Sequence, residues 1–410
     1  MSIQTILSDL ESSRDSLEAL YRHFHRHPEL SLQEYATADR IEQELRAHGI
    51  DDVRRIGRTG LVAVIENGDG PVVAMRGDID ALPMAERSGV DYAAEGVTQV
   101  DEATGKETPV AHTCGHDMHI VCLLGATRAL HAHRGAWSGT FLAVFQPGEE
   151  NAAGARAMVA DGIVDKVPRP DVYLGQHVLG TLPGGAVGIR SGPLFSAAAS
   201  IEITLHGKGS HGSMPNLGVD PIVLGAAIVS RLQTIVSREV APKETAVVTV
   251  GSFHAGSKSN IIPDSAVLQL NTRAFDRSVE KHLHEAIERI VRAECEAARS
   301  PRPPEFRYYD QYPLTSNHDE PTAKVRAAFD AHFRGDSVDM APVPASEDFS
   351  VIPDAFGCPY TYWGLGGFKD WKNAPGNHSP FFAPDIQPTL DRGVEAIVVA
   401  ASPWLVGDRP

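Results

Sequence analysis

Hydrophobic and polar positions along the chain follow two different periods. Apolar residues recur every three to four positions over Ile3–His27 and Tyr35–Arg46, a spacing that predicts two amphipathic helices. Short apolar runs at Leu61–Ile65 and Val72–Met75, and later in GTFLAVFQ and DVYLGQHV, have the character of buried strands. Because these strands alternate with helical stretches, the sequence predicts an α/β layer built on a mostly parallel mixed sheet.

A second pattern begins near Ser191. The segments SIEITLHG, TAVVTVGSF and AVLQLNTRAF alternate apolar and polar residues, and helical spacing appears at Asp220–Ser237 and Ser278–Arg299. Patterns compatible with the first layer return after the proline-rich SPRPPEF. We therefore predict a discontinuous α/β domain at residues 1–190 and 309–410, interrupted by an inserted α+β domain at residues 191–308.

Composition and charge narrow the possible functions. With 42% hydrophobic and 22% charged residues, the chain has the composition of a folded globular protein. A formal net charge of -16 argues against nucleic acid and anionic membranes as partners. No run approaches the roughly 18 apolar residues of a membrane span, and the first residues lack the apolar stretch of a signal peptide. Together with four scattered cysteines, these features predict a cytoplasmic protein.

Soft and titratable side chains crowd into PVAHTCGHDMHI, residues 109–120. Cys114 and His116 are two positions apart, so both face one side in extended or looped backbone, whereas a helix would separate them. Thiolate and imidazole ligands suit Zn, Ni, Co or Mn-type ions. A Cys-x-His pair is a weak signal alone, and it needs further ligands from elsewhere in the chain.

Those further candidates follow other predicted strands. Glu149 and Glu150 come after GTFLAVFQPG, His177 ends LGQH, and His378 lies in the C-terminal loop PGNHSPFF. Each feature has an ordinary explanation, since paired acids are usually solvated and isolated histidines are usually hydrogen-bonded within the fold. Their common position after buried strands favours convergence at the carboxyl edge of the sheet, where sites of α/β proteins lie.

This set of residues implies a metal-dependent hydrolase. The candidate ligands of one or two divalent ions are Cys114, His116, Glu150, His177 and His378. Such ions lower the pKa of a bound water towards about 7, and Glu149 is the candidate general base that takes its proton. Asp80, in RGDIDALP, is expected to orient an imidazole ligand from behind. Two other hypotheses stay open: a scaffold whose ions only stabilise the fold, and a hydrolase with Cys114 as nucleophile.

Motifs along nearly the whole chain resemble those of the M20 peptidases. They are, in order, HRHPELSLQEYAT, MRGDIDALP, HTCGHDMH, QPGEE, GQHV, GKGSHGSMPNLGVDPI, SNIIPDSAVLQLNTRAF, SEDFS and GNHSPFFAPD. The resemblance is to the branch of amidohydrolases, aminoacylases and hippurate hydrolases, and within it most to actinobacterial N-acyl-glutamine aminoacylases. It implies a zinc-peptidase-like catalytic domain with an inserted, ferredoxin-like dimerisation domain.

The resemblance also implies chemistry and partners. It implies two ions, zinc or alternatively Mn, Co or Ni, bridged by Cys114, and hydrolysis of N-acyl-L-amino acids by a homodimer or dimer of dimers. His211 would reach the partner's site and steady the oxyanion, and Asn260 and Arg273 would hold the substrate carboxylate. Hydrolysis of dipeptides, or of peptides from their carboxyl end, is the alternative.

Some positions depart from the family pattern or have no assigned role. Asn216 stands where many members have His, and the stretch at residues 94–109 is longer and more polar than expected. Both leave the acyl and amino acid preference open. His112 and His119 flank the candidate ligands, and we expect them to support a ligand or to pack.

Overall fold

The computed structural model describes residues 2–406, which form two compact units. The first unit consists of the described parts of Met1–Gly192, Ser316–Ala341 and Asp348–Pro410, and the second consists of Pro193–Thr315 and Pro342–Glu347. The second unit extends beyond the residues 191–308 of the predicted insert, first on to Thr315 and then by the short separate segment 342–347. This segment pairs with the start of that unit, since Val343 N–H donates to Leu194 O at 2.8 Å and Ser196 N–H donates to Ala345 O at 2.9 Å.

The strands of residues 2–406 are numbered from the N-terminus. They are β1 (Val53–Arg55), β2 (Leu61–Asn67), β3 (Val72–Asp78), β4 (Thr98–Asp101), β5 (Lys106–Pro109), β6 (Gly139–Gln146), β7 (Val172–Pro183), β8 (Val187–Ile189), β9 (Gly192–Phe195), β10 (Ala197–His206), β11 (Ser210–His211), β12 (Ala246–Ala255), β13 (Ile261–Ile262), β14 (Ser265–Ala274), β15 (Glu305–Tyr312), β16 (Thr315–Asn317), β17 (Ser337–Asp339) and β18 (Tyr360–Phe368).

The α-helices are numbered in the same way. They are α1 (Ile3–Ile6), α2 (Leu10–Arg26), α3 (Tyr35–Ala47), α4 (His116–Ala132), α5 (Gly154–Ala160), α6 (Ile163–Lys166), α7 (Pro221–Thr234), α8 (Arg277–Ala297), α9 (Asp319–Phe333), α10 (Val351–Phe356) and α11 (Ile386–Leu405).

An eight-stranded mixed sheet forms the centre of the first unit, in the order β1-β2-β6-β3-β7-β18-β8-β17. Its central strands β6, β3, β7 and β18 run parallel. Every residue of β6 is buried, which explains why GTFLAVFQ is an unbroken apolar run. The carboxyl ends of the parallel strands share one edge, where Asp78 is in register with Gln146. The predicted α/β fold with a mixed sheet is confirmed.

The second unit follows a β-α-β-β-α-β order. Strands β10, β12, β14 and β15 form an antiparallel sheet in the order β12-β14-β10-β15, with α7 and α8 as the intervening helices, the ferredoxin-like arrangement. Alternate residues of β14 are buried, and Leu268 and Leu270 pack with Ile228 of α7 and Ile287 of α8 in a separate core. One buried face accounts for the alternating sequence pattern.

The single helix predicted from Ile3 to His27 is wrong. The structure has α1 and α2 there, with residues 7–9 between them. The break places the carboxylate of Asp9 3.0 Å from His133 Nε2, a partner 124 positions away that local apolar spacing does not reveal. Among the helices of residues 2–406, none combines the length and the apolar character that a membrane crossing requires.

A buried histidine joins α2 to the helix that follows the Cys-x-His motif. His25 Nδ1 lies 2.6 Å from Asp117 Oδ2, and its Nε2 lies 2.9 Å from Glu86 Oε1, with all three side chains 1% exposed or less. Burial alone lowers the pKa of His25, but the charges and hydrogen bonds of Asp117 and Glu86 outweigh burial and raise that pKa to about 9. A buried imidazolium therefore holds α2 against α4.

Replacing His25 by Gln leaves Asp117 and Glu86 buried without their cation. We expect the free energy of unfolding, measured with urea at neutral pH, to fall by about 3–5 kcal/mol, the usual cost of breaking a buried ion pair. The matched control is Arg22→Gln on the same helix, whose partner Asp91 is 81% exposed, with an expected loss of about 1 kcal/mol or less. Equal losses in the two variants would contradict the assignment.

The same ion pair makes stability depend on pH. Because the folded-state pKa of His25 is about 9 against an ordinary value of 6.5, its contribution is complete below about pH 6.5 and is lost as pH rises through about 9. The difference in stability between the wild type and His25→Gln should therefore shrink on going from neutral to alkaline pH. A difference that stays constant would argue against an imidazolium.

Candidate metal centre

The five residues predicted as ligands lie together in the first unit. Cys114 Sγ is 3.5 Å from His177 Nε2, and Glu150 is 3.3 Å from His378 Nε2 and 3.8 Å from His116 Nε2. Two groups have all their ligand atoms within 4.8 Å of one another: Cys114 with His116 and His177, and Cys114 with Glu150 and His378. The thiol of Cys114 is common to both groups.

A sharp turn places the thiol and the imidazole of the Cys-x-His motif. Gly115 has φ 87° and precedes α4, which begins at His116. A Cβ atom on Gly115 would lie 2.4 Å from Val178 Cγ1, so both the left-handed backbone and the close approach to β7 require glycine. Cys114 therefore lies in a loop and His116 on the first helical residue, which brings both to one centre.

Hydrogen bonds from behind decide which ring nitrogens face the centre. His116 Nδ1 lies 3.0 Å from Asp80 O and 3.1 Å from Asp80 Oδ1, both acceptors. His177 Nδ1 donates to Val178 O at 2.8 Å. In its neutral form each ring therefore offers Nε2 to a cation. Asp80 also accepts a hydrogen bond from the backbone N–H of Glu150 at 3.0 Å, so one carboxylate orients two predicted ligands.

The C-terminal loop is tied to the rest of the centre by Asn377. Its Nδ2 donates to Cys114 O at 3.1 Å and to Val178 O at 3.0 Å. The next residue, His378, forms hydrogen bonds with Cys114 and Glu150 that raise its pKa to about 11. A cation at His378 would therefore have to compete with a proton.

The turn after β6 presents two adjacent glutamates. Gly148 has φ 52°, and its N–H donates to the buried carboxylate of Glu34 at 2.8 Å. Glu149 is 5% exposed and forms, with His116 and Glu150, another group whose ligand atoms lie within 4.8 Å of one another. Both glutamates thus lie beside the other predicted ligands.

The donor set suits a borderline divalent cation. One thiol, three imidazoles and one carboxylate meet at the centre, a combination typical of zinc and also acceptable to Mn, Co or Ni. Among residues 2–406, the buried Nε2 of His116 has no hydrogen-bond partner. A cation would satisfy this nitrogen, so the residues fit the metal that the sequence predicts.

The buried partners of Asp78 and His119 were not recognised from the sequence. Arg76 is completely buried, and its Nη1 lies 2.6 Å from Asp78 Oδ2. The other oxygen of Asp78 lies 2.5 Å from Nδ1 of His119. A signal was present in MRGDID, because an arginine and an aspartate in an otherwise apolar strand need buried partners.

Two further features lie close to this centre in the chain. His112 is 1% exposed, burial lowers its pKa to about 4, and within the described residues neither ring nitrogen has a hydrogen-bond partner.

Residues 94–109 contain the hairpin of β4 and β5, which packs on the loop after α2: Leu30 N–H donates to Gln99 Oε1 at 2.7 Å, and Gln33 Nε2 donates to Val100 O at 2.9 Å.

The second unit holds the residues predicted to contact substrate. His211 is exposed on β11, and Asn260 is exposed near it, since Gly212 N–H donates to Asn260 O at 2.8 Å. Arg273 is partly buried on β14 and donates to Pro344 O at 2.8 Å. Their roles toward substrate stay predictions.

Comparison with known proteins relates most of the chain to one family. The family model described as Peptidase family M20/M25/M40 matches residues 74–401. The chain is 33% identical over 379 residues to N-acetyl-L-cysteine deacetylase of Bacillus subtilis (strain 168), covering 92% of this chain and 85% of that protein. It is 35% identical over 322 residues to N-acyl-L-amino acid amidohydrolase of Geobacillus stearothermophilus, covering 78% and 83%.

A solved structure adds the architecture. The crystal structure of a Bacillus subtilis protein, described as a dinuclear metal binding peptidase from M20 family, is 28% identical with a TM-score of 0.77, covering 95% of this chain and 98% of that one. The region matched by the family model, residues 74–401, contains every predicted ligand. The chain belongs to the peptidase family M20/M25/M40.

Proposed function

We propose that this protein hydrolyses the amide bond of N-acyl-L-amino acids and releases a carboxylate and a free amino acid. The observation that carries the proposal is the pair of adjacent glutamates: Glu150 groups with Cys114 and His378, and Glu149 is buried beside it. Ions that only stabilised the fold would not explain a second buried carboxylate at the centre. The names of the two relatives, a deacetylase and an amidohydrolase, support the same chemistry.

Residues of this chain have separate tasks in that reaction. Divalent ions, when bound, lower the pKa of a water to about 7 and polarise the acyl carbonyl. Glu149 takes a proton from the water while the oxygen of the water bonds to the acyl carbon. It then delivers that proton to the amide nitrogen as the C–N bond breaks. Asp80 contributes by orienting His116 and the backbone of Glu150.

Two ions per chain are proposed, held by Cys114, His116, Glu150, His177 and His378. The thiol of Cys114, which is common to two ligand groups, could contribute to the binding of both ions, and the solved relative is described as dinuclear. Zinc is the proposed metal because thiolate and imidazole ligands predominate, with Mn, Co or Ni as alternatives.

Substrate contacts are proposed for the second unit. Arg273 and Asn260 hold the substrate carboxylate, for which a guanidinium offers a planar fork of donors. His211 steadies the oxyanion in the site of a partner subunit. The exposure of His211 on β11 supports a role toward another molecule.

A homodimer, alone or paired into a dimer of dimers, is the proposed assembly. Strand β12 is at the edge of its sheet, and Val247 and Phe253 on it are 40% and 37% exposed. An unpaired edge with apolar side chains favours pairing with a second copy.

A cytoplasmic location is proposed from the cysteines. Cys114, Cys122, Cys295 and Cys358 are all buried as free thiols. Unpaired thiols are typical of a reducing compartment.

Removal of metal should abolish hydrolysis. After dialysis against a chelator we expect no release of amino acid from a panel of N-acyl amino acids, and recovery when Zn, Co or Mn is added back, because the ions activate the water. Amino acid release is measured with an amine-reactive dye. Full activity of the chelated enzyme would refute the metal chemistry and favour Cys114 as nucleophile.

The same panel separates the alternative function. Unblocked dipeptides that share the amino acid half of each substrate serve as matched controls. Equal or faster cleavage of the dipeptides would favour a dipeptidase or carboxypeptidase over an amidohydrolase.

Two adjacent variants separate the base from a ligand. Glu149→Gln should retain its metal and lose about 10²–10⁴-fold in kcat, the usual contribution of a general base. Glu150→Gln should bind metal more weakly, because it removes a charged ligand. Metal content by elemental analysis and kcat are measured on both. An unchanged kcat in Glu149→Gln would contradict the role of Glu149 as the general base.

Mixing inactive chains tests His211. Glu149→Gln and His211→Ala homodimers should each be inactive, and subunit exchange between them should restore some activity, because a mixed dimer contains one site with both residues intact. Each variant mixed with itself is the control. Absence of recovery after verified exchange would argue for a role of His211 within its own chain, or for no role.

A further inference from the structure

A chain of buried hydrogen bonds runs behind the proposed ligands, from β3 through α4 to β7. Arg76 Nη1 lies 2.6 Å from Asp78 Oδ2, Asp78 Oδ1 lies 2.5 Å from His119 Nδ1, and Val178 N–H donates to His119 Nε2 at 2.8 Å. The side chains of Arg76, Asp78 and His119, which we name the buried relay, are each 1% exposed or less.

The backbone N–H of Val178 decides which tautomer His119 adopts. A backbone N–H only donates, so the Nε2 that accepts it carries no proton, and the proton of the neutral ring is on Nδ1, which donates to Asp78. Asp78, His116 and His119 have ligand atoms within 4.8 Å of one another, so His119 is a candidate ligand by position. Its hydrogen bonds leave neither nitrogen available to a cation.

Asp78 is also a candidate ligand by position. Its Oδ2 lies 3.4 Å from Nε2 of His116, the nitrogen that faces the centre. The same oxygen is 2.6 Å from the guanidinium of Arg76, so a metal ion bound there would lie close to a second buried positive charge. Arg76 is further held by Gln146 Oε1 at 3.0 Å, which keeps the guanidinium in place.

We propose that the buried relay positions His177 and keeps Asp78 outside the set of metal ligands. The link is Val178, which follows His177 in β7. Its N–H is held by His119, and its carbonyl accepts the Nδ1 proton of His177 at 2.8 Å. The relay thus holds the amide nitrogen of Val178, and the carbonyl of the same residue sets the orientation of the His177 ring. The inference rests on the proposed metal site.

Removal of His119 tests the positioning role. In His119→Phe a ring of similar size replaces the imidazole and both hydrogen bonds are lost. We expect the affinity for Zn²⁺, measured by competition with a chromophoric chelator, to fall about ten- to a hundredfold, with two ions per chain still bound at saturation. The matched control is Cys122→Ala, three residues further along α4 and equally buried, which should retain the wild-type affinity.

Asp78→Asn provides the second test. It is the deciding test if circular dichroism shows that the phenylalanine variant is unfolded. Loss of the anion should weaken Zn²⁺ binding by a similar factor and leave the ion content at saturation unchanged. One ion per chain in Asp78→Asn would make Asp78 a ligand and overturn the proposal, as would wild-type affinity in either variant. If the wild type itself binds no zinc, the proposed function fails instead.

Discussion

Hydrogen bonding to the rear nitrogen of each imidazole is the constraint on which the metal centre depends. A neutral imidazole has one donor and one acceptor, so the group behind the ring decides what the front can bind. Asp80 and the Val178 carbonyl accept hydrogen bonds from Nδ1 of His116 and His177. Val178 N–H instead occupies the lone pair of His119. The three buried histidines therefore differ in whether they offer a ring nitrogen to a cation, although their ring centroids lie within 5.7 Å of one another.

Local sequence patterns were sufficient for most of the fold. Buried strands such as β6 appear as unbroken apolar runs, and one-sided strands such as β14 appear as alternation, because each pattern reports how many faces are covered. The helix break at residues 7–9 and the pairing of residues 342–347 were missed. Both depend on partners distant in sequence, His133 for Asp9 and Leu194 for Val343.

The candidate site was likewise predictable from the sequence only in part. Cys114 and His177 could be expected to meet because they lie near the ends of predicted strands, and parallel strands bring such ends to one edge. No local feature of the sequence distinguishes His119 from His116, because both are buried on α4. Their different capacities follow from the direction of hydrogen bonds, and Asn377 likewise acquires its importance from two carbonyls in other segments.

The contact of Asn377 with Cys114 joins residues 263 positions apart, and the second unit lies between them in the chain. The ribosome therefore releases the thiol and β7 well before the loop that bears His378 emerges. Domains tend to fold as units during synthesis, but the candidate centre of this one is incomplete until Asn377 and His378 have been synthesised. A nascent chain arrested after the second unit would therefore hold only part of the proposed ligand set.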